Sequence, residues 1–195
     1  MTGAIAPGDC LGRKLLIVGD VNTGKTTLAR RILEDLCARG LGPRIAVLDL
    51  APHIPPELAA QRGLRGIGGT IGVPPGCGVL AVHEQLAPPR LTSNTEIEAQ
   101  EKAAANKGLI DAAWVRLEPG TRTILFLNDV SMYLQAGTAA ELIARLAPAD
   151  TVIANGYFGE RLGGGELTRH ERAQLELLRD WFERTGSVLT LTTRF

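Results

Sequence analysis

Short apolar runs recur along the chain and predict five buried strands. They are Lys14–Val18, Arg44–Leu50, Thr123–Leu127, Thr151–Ala154 and Ser187–Leu191. The first run, KLLIV, is apolar after its leading lysine, which is typical of a strand that is covered on both faces. Such strands belong to parallel sheets that have helices on either side.

Segments with helical periodicity lie between these strands. Leucine and isoleucine recur at helical spacing over Thr26–Arg39, and Gly40 ends that helix. Three further helices are predicted to begin at Ser93, Thr138 and Thr168, because a glutamate follows each of them three positions later, as in a capping box. Alternating strands and helices predict an α/β fold, a three-layer α/β/α sandwich whose mostly parallel central sheet has about five or more strands.

Two glycine-rich stretches interrupt this alternation. Residues 51–92 combine many glycines with three Pro-Pro pairs, and residues 156–167 form a second glycine-rich loop that carries Arg161. The first stretch greatly exceeds the usual connection of about 4–6 residues, and long loops of this kind are often functional. We predict that residues 1–195 form one domain with a Gly/Pro-rich insertion at 51–92.

Composition and charge narrow the functional classes. The chain has 195 residues, of which 45% are hydrophobic and 22% charged, and this is enough for a real core. The formal net charge is zero, so general nucleic-acid binding is not predicted. The three cysteines show no disulfide framework, and no apolar run reaches the ~18 residues of a membrane span. With no signal-peptide pattern at the N-terminus, we expect a cytoplasmic protein without a membrane partner.

The segment between the first strand and the first helix has the spacing of a phosphate-binding loop. It reads GDVNTGKTT and matches G-x-x-x-x-G-K-[ST] completely. Its glycines let backbone N–H groups turn inward around phosphates at the helix N-terminus. The lysine of this motif places a cation on the β- and γ-phosphates, and the following threonine offers a hydroxyl to Mg²⁺. The predicted nucleotide-binding residues are Gly19, Asp20, Val21, Asn22, Thr23, Gly24, Lys25, Thr26 and Thr27.

On this motif and the strand–helix alternation, the chain resembles the P-loop NTPase superfamily. The resemblance implies a central parallel sheet, bound ATP or GTP, and Mg²⁺. The run TILFLND resembles a Walker B element, so that Asp129 is expected to hold Mg²⁺ together with Thr26.

Asp49 ends the second predicted strand, a position that is informative in several branches of this superfamily. In the signal-recognition and metallochaperone branch (SIMIBI), an aspartate there helps to hold Mg²⁺ and the attacking water. In P-loop kinases it accepts the proton of the substrate hydroxyl. The other interpretation of Asp49 is a residue that initiates a turn. The resemblance therefore leaves both a SIMIBI-like and a kinase-like branch open.

The motifs that select guanine in many P-loop proteins are missing. The fourth predicted strand ends in Asn155-Gly156-Tyr157 and lacks N-K-x-D, and neither Asp111 nor Asp129 begins a D-x-x-G motif. We therefore expect ATP as the nucleotide, with GTP as the less favoured alternative.

The glycine-rich loop after the fourth strand resembles the lid of nucleoside-monophosphate-type kinases. An arginine in such a lid neutralises charge on the transferred phosphoryl group, which gives Arg161 a candidate catalytic role. In the kinase hypothesis, Arg62, Arg65 and Arg90 bind an anionic acceptor and Asp49 is the base. The alternative for Arg161 is an exposed loop residue.

Three functions follow from these residues and stay open. The first is Mg²⁺-dependent hydrolysis of a nucleoside triphosphate, for which Lys25, Asp49, Asp129 and Arg161 are the candidate catalytic residues. The second is transfer of the γ-phosphoryl group to a small-molecule or RNA 5′-hydroxyl acceptor. The third is a nucleotide-binding switch with little turnover, in which residues 51–92 report the γ-phosphate to a protein partner.

Overall fold

A six-stranded sheet forms the centre of the protein. The computed structural model describes residues 10–54, 56–61, 69–118, 120–162 and 164–192. The strands are β1 (Lys14–Gly19), β2 (Ile45–Asp49), β3 (Leu80–His83), β4 (Ile124–Asn128), β5 (Thr151–Tyr157) and β6 (Ser187–Leu191). All neighbouring strands are parallel, in the order β3-β2-β4-β5-β1-β6. The predicted α/β class with a parallel central sheet is confirmed.

Helices pack on both faces of this sheet. They are α1 (Lys25–Ala38), α2 (Pro56–Gln61), α3 (Pro89–Thr92), α4 (Glu96–Arg116), α5 (Ser131–Leu134), α6 (Ala139–Leu146) and α7 (Glu166–Thr185), with a 3-10 turn at Gly42–Arg44. No helix in the described part of the chain combines the length and the apolar character that a bilayer crossing requires.

Successive side chains of the central strands enter two different cores. On β1, Leu15 and Ile17 are buried in a cluster with Ile32 of α1. Leu16 and Val18 enter a larger cluster on the other face, built with residues of α4 to α7. Because both faces are covered, the strands need apolar residues at every position, which is the pattern that predicted them.

Strand β3 lies within the Gly/Pro-rich stretch and was not predicted from the sequence. It pairs with β2 alone, at the edge of the sheet, with Val47 opposite Ala81. Only Val82 of its four residues is buried. An edge strand with so little buried surface lacks the continuous apolar run of the central strands, so its sequence resembles a loop.

Two of the three predicted helix starts differ from the structure. The capping box at Thr138 is confirmed. The prediction for α4 was wrong, because Thr95 caps this helix by accepting a hydrogen bond from the Glu98 N–H, and Ser93 lies outside it. Ser93 and Glu96 have the sequence spacing of a capping box, but Ser93 does not cap the helix.

The prediction for α7 was also wrong, because this helix begins at Glu166 and includes Thr168. Its first turn is capped from another helix: the Leu167 N–H donates to a carboxylate oxygen of Glu96 at 2.6 Å. Glu171, expected in the capping box, is buried and forms an ion pair with Arg90. A cap supplied by a distant residue leaves no local sequence pattern.

The parallel arrangement brings the carboxyl ends of four strands to one edge of the sheet. Gly19 of β1 pairs in register with Tyr157 of β5, and Asp49 of β2 pairs with Asn128 of β4. Ligands of open parallel α/β sheets bind at this edge. The fold therefore places the predicted phosphate loop beside the polar ends of β2, β4 and β5.

Candidate functional site

The loop between β1 and α1 has a backbone that requires glycine at two positions. Gly24 adopts φ 86° as the N-cap of α1, a left-handed conformation that glycine reaches without strain. At Gly19, φ is 158° and a β-carbon would lie 2.4 Å from the Leu191 carbonyl oxygen. Thr23 closes the loop by donating its hydroxyl to the Asp20 carbonyl at 2.9 Å. The motif glycines thus set the turn from strand to helix.

The start of α1 is available to an anion. Among the residues that the structure describes, no side chain caps this end of the helix, and no acidic residue lies in its first turn. The first N–H groups of a helix have no partner within it, and the helix dipole is positive there. Lys25 donates its ammonium to the Asp20 carbonyl oxygen at 2.6 Å, so this cation is held at the loop. Burial lowers the pKa of Lys25, while the charges of Asp129 and Asp20 act in the opposite direction.

A cleft of about 490 Å³ opens above the loop. Its volume lies within the ~300–1,000 Å³ range of small-molecule sites. The lining is mixed polar and apolar. It comes from the phosphate loop with α1, from Ala51 after β2, from the segment at Gly69 and Thr70, and from the ends of β4 and β5 with Leu162 beyond. The lining residues include Val21, Asn22, Thr23, Gly24, Lys25, Thr26, Thr27, Arg30, Asn128, Asp129, Asn155 and Tyr157.

Asn128, at the end of β4, is the centre of a hydrogen-bond network beneath this cleft. Its amide nitrogen donates to Asp49 Oδ1 at 2.6 Å and to the Gly69 carbonyl at 3.0 Å. Its amide oxygen accepts from the Thr26 hydroxyl at 3.1 Å and from the Asn155 amide at 2.8 Å. All four hydrogen-bonding positions of one buried side chain are therefore used, and they connect β2, β4, β5 and α1.

Replacing Asn128 with alanine is expected to lower the free energy of unfolding by about 3 kcal/mol. The substitution removes the hydrogen-bond partner of Asp49, Thr26 and Asn155. A buried polar group without a partner costs about 1–3 kcal/mol. Urea denaturation followed by circular dichroism measures the difference. The matched control is Asn94→Ala, at an exposed position just before α4. Equal stability of the two variants would show that the network contributes little.

Asp129 lies directly after β4 and is among the residues that line the cleft. Its φ of 62° is left-handed, which is uncommon outside glycine and is often found at functional sites. The backbone N–H donates to the Asn155 side-chain oxygen at 3.1 Å. The Oδ1 atom is buried and has no hydrogen-bond partner among the described residues. This geometry leaves one carboxylate oxygen without a structural role.

The electrostatic surroundings of Asp129 favour its protonated form. Burial raises the pKa of this carboxyl to about 6 from its usual 3.8, and the negative charge of Asp49 contributes a smaller part in the same direction. Lys25, Arg90 and a hydrogen bond from Ser131 lower the pKa and offset part of the effect. A carboxyl group with a pKa near neutrality can both accept and release a proton under ordinary conditions.

Asp49 is brought close to the predicted site, but three donors of the protein already bind its carboxylate. Besides the bond from Asn128, it accepts from the Ala51 N–H at 3.2 Å and from the Ile71 N–H at 2.8 Å. It is 5% exposed and is not among the residues that line the cleft. These contacts anchor the segment that follows β2 and the segment at Ile71 to the floor of the cleft.

The predicted arginines have different positions. Arg161 lies at the rim, with its Nε 3.9 Å from an Asp20 carboxylate oxygen and its side chain about half exposed, and it does not line the cleft. Arg90 of α3 forms a buried ion pair with Glu171. Arg62 and Arg65 lie outside the residues that the structure describes.

Asn128 and Asn155 are the main residues to which the sequence assigned no role. Both are polar residues at or near the end of otherwise apolar strands, and both are 1–2% exposed. A buried amide needs hydrogen-bond partners, so an asparagine at the end of an apolar strand indicates a buried polar network. The sequence does not reveal the partners, because Thr26 and Asp49 come from elements that are distant along the chain.

Comparison with known proteins assigns neither a family nor a function to the chain. No protein-family model matches the chain, and a search of curated proteins finds no match. A crystal structure of Pif1 helicase from Candida albicans is similar at 16% sequence identity and a TM-score of 0.40. The similarity covers 94% of this chain and 37% of the helicase chain, so this chain spans less than half of its length.

Proposed function

We propose that the cleft binds a nucleoside triphosphate with Mg²⁺ and promotes transfer of its terminal phosphoryl group. One observation carries this proposal: Lys25, Thr26 and Asp129 line the same cleft at the start of α1. A cation, a hydroxyl and a carboxylate at a helix N-terminus are the groups that phosphoryl transfer requires.

The oxygen groups of the cleft fit Mg²⁺. This ion prefers oxygen ligands and usually binds through one or two protein groups together with phosphates and water. Thr26 uses its hydroxyl hydrogen toward Asn128, so that the oxygen lone pairs are free for an ion. We assign Thr26 as the direct ligand and Asp129 as a partner of the water shell. When bound, the ion neutralises charge that develops on the phosphate oxygens.

The protein's own groups take distinct roles in this proposal. Lys25 exchanges its bond to the Asp20 carbonyl for bonds to the phosphates. Asp129, which lines the cleft, accepts the proton of the attacking water or hydroxyl at its carboxylate. Asp49 touches neither reactant and acts by fixing Asn128. Arg161 stays a proposed lid residue, because its contact to Asp20 at 3.9 Å is weak enough to be exchanged.

ATP hydrolysis is the activity that we favour, with ATP preferred over GTP because no guanine-selecting motif follows β5. The experiment measures phosphate and ADP release from ATP and from GTP, in Mg²⁺ and in EDTA. We expect release that requires Mg²⁺ and is faster with ATP. Absence of nucleotide binding in both conditions would contradict the proposal, whereas binding with negligible release would favour the switch.

Replacing Thr26 with alanine is expected to lower the Mg²⁺-dependent rate by at least about 10-fold, because the ion loses its protein ligand. The Mg²⁺ concentration for half-maximal activity should rise, while nucleotide affinity in EDTA should remain. Thr185→Ala is the matched control, since that hydroxyl donates to the Trp181 carbonyl in the last turn of α7. An unchanged Mg²⁺ titration would remove Thr26 from the ion site.

A further inference from the structure

Two cysteines from distant parts of the chain lie side by side at the end of α1. Cys37 is in the last turn of this helix, and Cys77 lies at the bend before β3. Their side chains interact directly, thiol with thiol. Both residues are partly exposed, in contrast to the buried Cys10. Neither of them is among the residues that line the cleft.

The backbone holds the two segments that carry these cysteines against each other. After α1 the chain turns back, and the Gly40 N–H donates to the Cys37 carbonyl at 2.9 Å. Two residues later, a β-carbon on Gly42 would collide with the Cys77 carbonyl oxygen and would lie 3.2 Å from the Cys77 β-carbon. Glycine allows this close approach of two backbones. The segments are therefore in contact through their main chains as well as through their thiols.

Arg122, just before β4, joins the same two segments. Its Nη1 atom donates to the Pro43 carbonyl at 2.9 Å and to the Gly78 carbonyl at 2.8 Å. Pro43 belongs to the 3-10 turn that follows α1, and Gly78 follows Cys77 directly. A disulfide forms without strain only where the backbone already holds the two cysteines close together. The contacts of Arg122 and Gly42 provide this condition.

Cys77 ends a segment that leads from the cleft to the end of α1. We call residues 69–77 the strap. Near the cleft, the Ile71 N–H donates to Asp49 at 2.8 Å. Ile71 and Val73 then pack in the apolar cluster that contains the buried residues of α1. A covalent bond from Cys77 to α1 therefore ties the strap to the far end of the helix that begins at the phosphate loop.

We propose that Cys37 and Cys77 form a reversible disulfide that fixes the strap to α1 under oxidising conditions. The oxidant is a low-molecular-weight disulfide. The Cys77 thiolate attacks one oxidant sulfur, which forms a mixed disulfide and releases the other half as a thiolate. The Cys37 sulfur then loses its proton and attacks the Cys77 sulfur, which releases the second half. Two protein thiols are oxidised, and one oxidant disulfide is reduced to two thiols.

The surroundings of Cys37 determine the order of these steps. Burial raises the pKa of the Cys37 thiol to about 12, and the contact with Cys77 acts in the same direction. Because the thiolate is the nucleophile, Cys37 reacts slowly with an oxidant in solution. Its attack on a mixed disulfide at Cys77 is intramolecular, and this proximity compensates for the small thiolate fraction. Cys77 is therefore the first to react.

The experiment treats the full chain with oxidised glutathione and maps the products by mass spectrometry after the remaining thiols are alkylated. We expect the intact chain to lose two hydrogens, a peptide linked through Cys37 and Cys77 to appear, and dithiothreitol to reverse both changes. Cys37→Ser should stop at a glutathione adduct on Cys77, whereas Cys77→Ser should form much less adduct. A disulfide that includes Cys10, or the absence of any disulfide, would overturn the pairing.

Thermal unfolding and hydrogen exchange show whether this bond fits the folded protein. Oxidation should raise the melting temperature by at least about 4 °C, because a disulfide constrains the unfolded chain, and it should slow amide exchange in the strap. Cys37→Ser, treated in the same way, is the matched control and should show neither change. An unchanged or lower melting temperature of the linked protein would overturn the fit to the native fold. Because neither measurement uses a nucleotide, the result is independent of the proposed function.

Discussion

Replacing Lys25 with alanine is expected to weaken nucleotide binding by roughly 100-fold and to abolish measurable turnover. A hydrogen bond to a charged group contributes about 1.5–3 kcal/mol, and the lysine of this motif reaches two phosphates. About 3 kcal/mol corresponds to a little over 100-fold in affinity. Titration with a fluorescent ATP analogue in Mg²⁺ measures the change.

Lys14→Ala is the matched control for this prediction. Lys14 begins β1 at the opposite edge of the sheet, where its ammonium donates to the Ala149 carbonyl at 2.6 Å. Its loss should affect stability and leave nucleotide affinity in place. If Lys25→Ala folds and binds the analogue as tightly as the native chain, the cleft is not a phosphate site and the proposed function is wrong.

The phosphate loop is the part of the site that the sequence predicts best, because its geometry is local. Two glycines, a lysine and a threonine at fixed spacing are enough to specify the turn and the start of α1. The central strands are predicted for a similar reason, since burial on both faces requires apolar residues in one continuous run.

The rest of the site depends on contacts between residues that are far apart in the sequence. Asn128 bonds to Thr26, 102 positions away, and Asn155 lies 27 positions beyond Asn128. The sequence drew attention to Asp49 as an acid at a strand end, but the hydrogen bonds that occupy it come from Asn128 and from the N–H of Ile71. Strand order decides these contacts, and periodicity carries no information on strand order.

The same limit applies to Arg90 of α3. In the kinase hypothesis, Arg90 was predicted to bind an anionic acceptor. The fold places it against Glu171 of α7, 81 positions later, in a buried ion pair. Residue type therefore predicts that a side chain can take part in binding, whereas its tertiary partner decides whether its charge is already paired.

Asp129→Asn is expected to lower the rate of phosphoryl transfer without destabilising the folded protein. Loss of the carboxylate should lower phosphoryl transfer by roughly 100-fold or more, because a positioned general base contributes about 10²–10⁴ in rate. Asparagine retains the size of the side chain and tolerates the left-handed backbone at φ 62°. Nucleotide affinity should therefore remain, in contrast to the Lys25 variant. Single-turnover measurement of ADP formation, with Asp150→Asn at an exposed position as control, tests this expectation.

The free protein should become more stable with this substitution, and the gain should depend on pH. Because the folded state raises the pKa of Asp129 from 3.8 to about 6, the ionised carboxylate opposes folding. This penalty is absent below pH 4, grows between pH 4 and pH 6, and reaches at most about 3 kcal/mol at neutral pH, since one pKa unit corresponds to about 1.4 kcal/mol. Asparagine carries no such penalty.

Urea denaturation from pH 4 to 8 without nucleotide should show that the free energy of unfolding of the variant increasingly exceeds that of the native chain as the pH rises. A constant difference across this range would mean that the carboxylate is not held in a desolvated position.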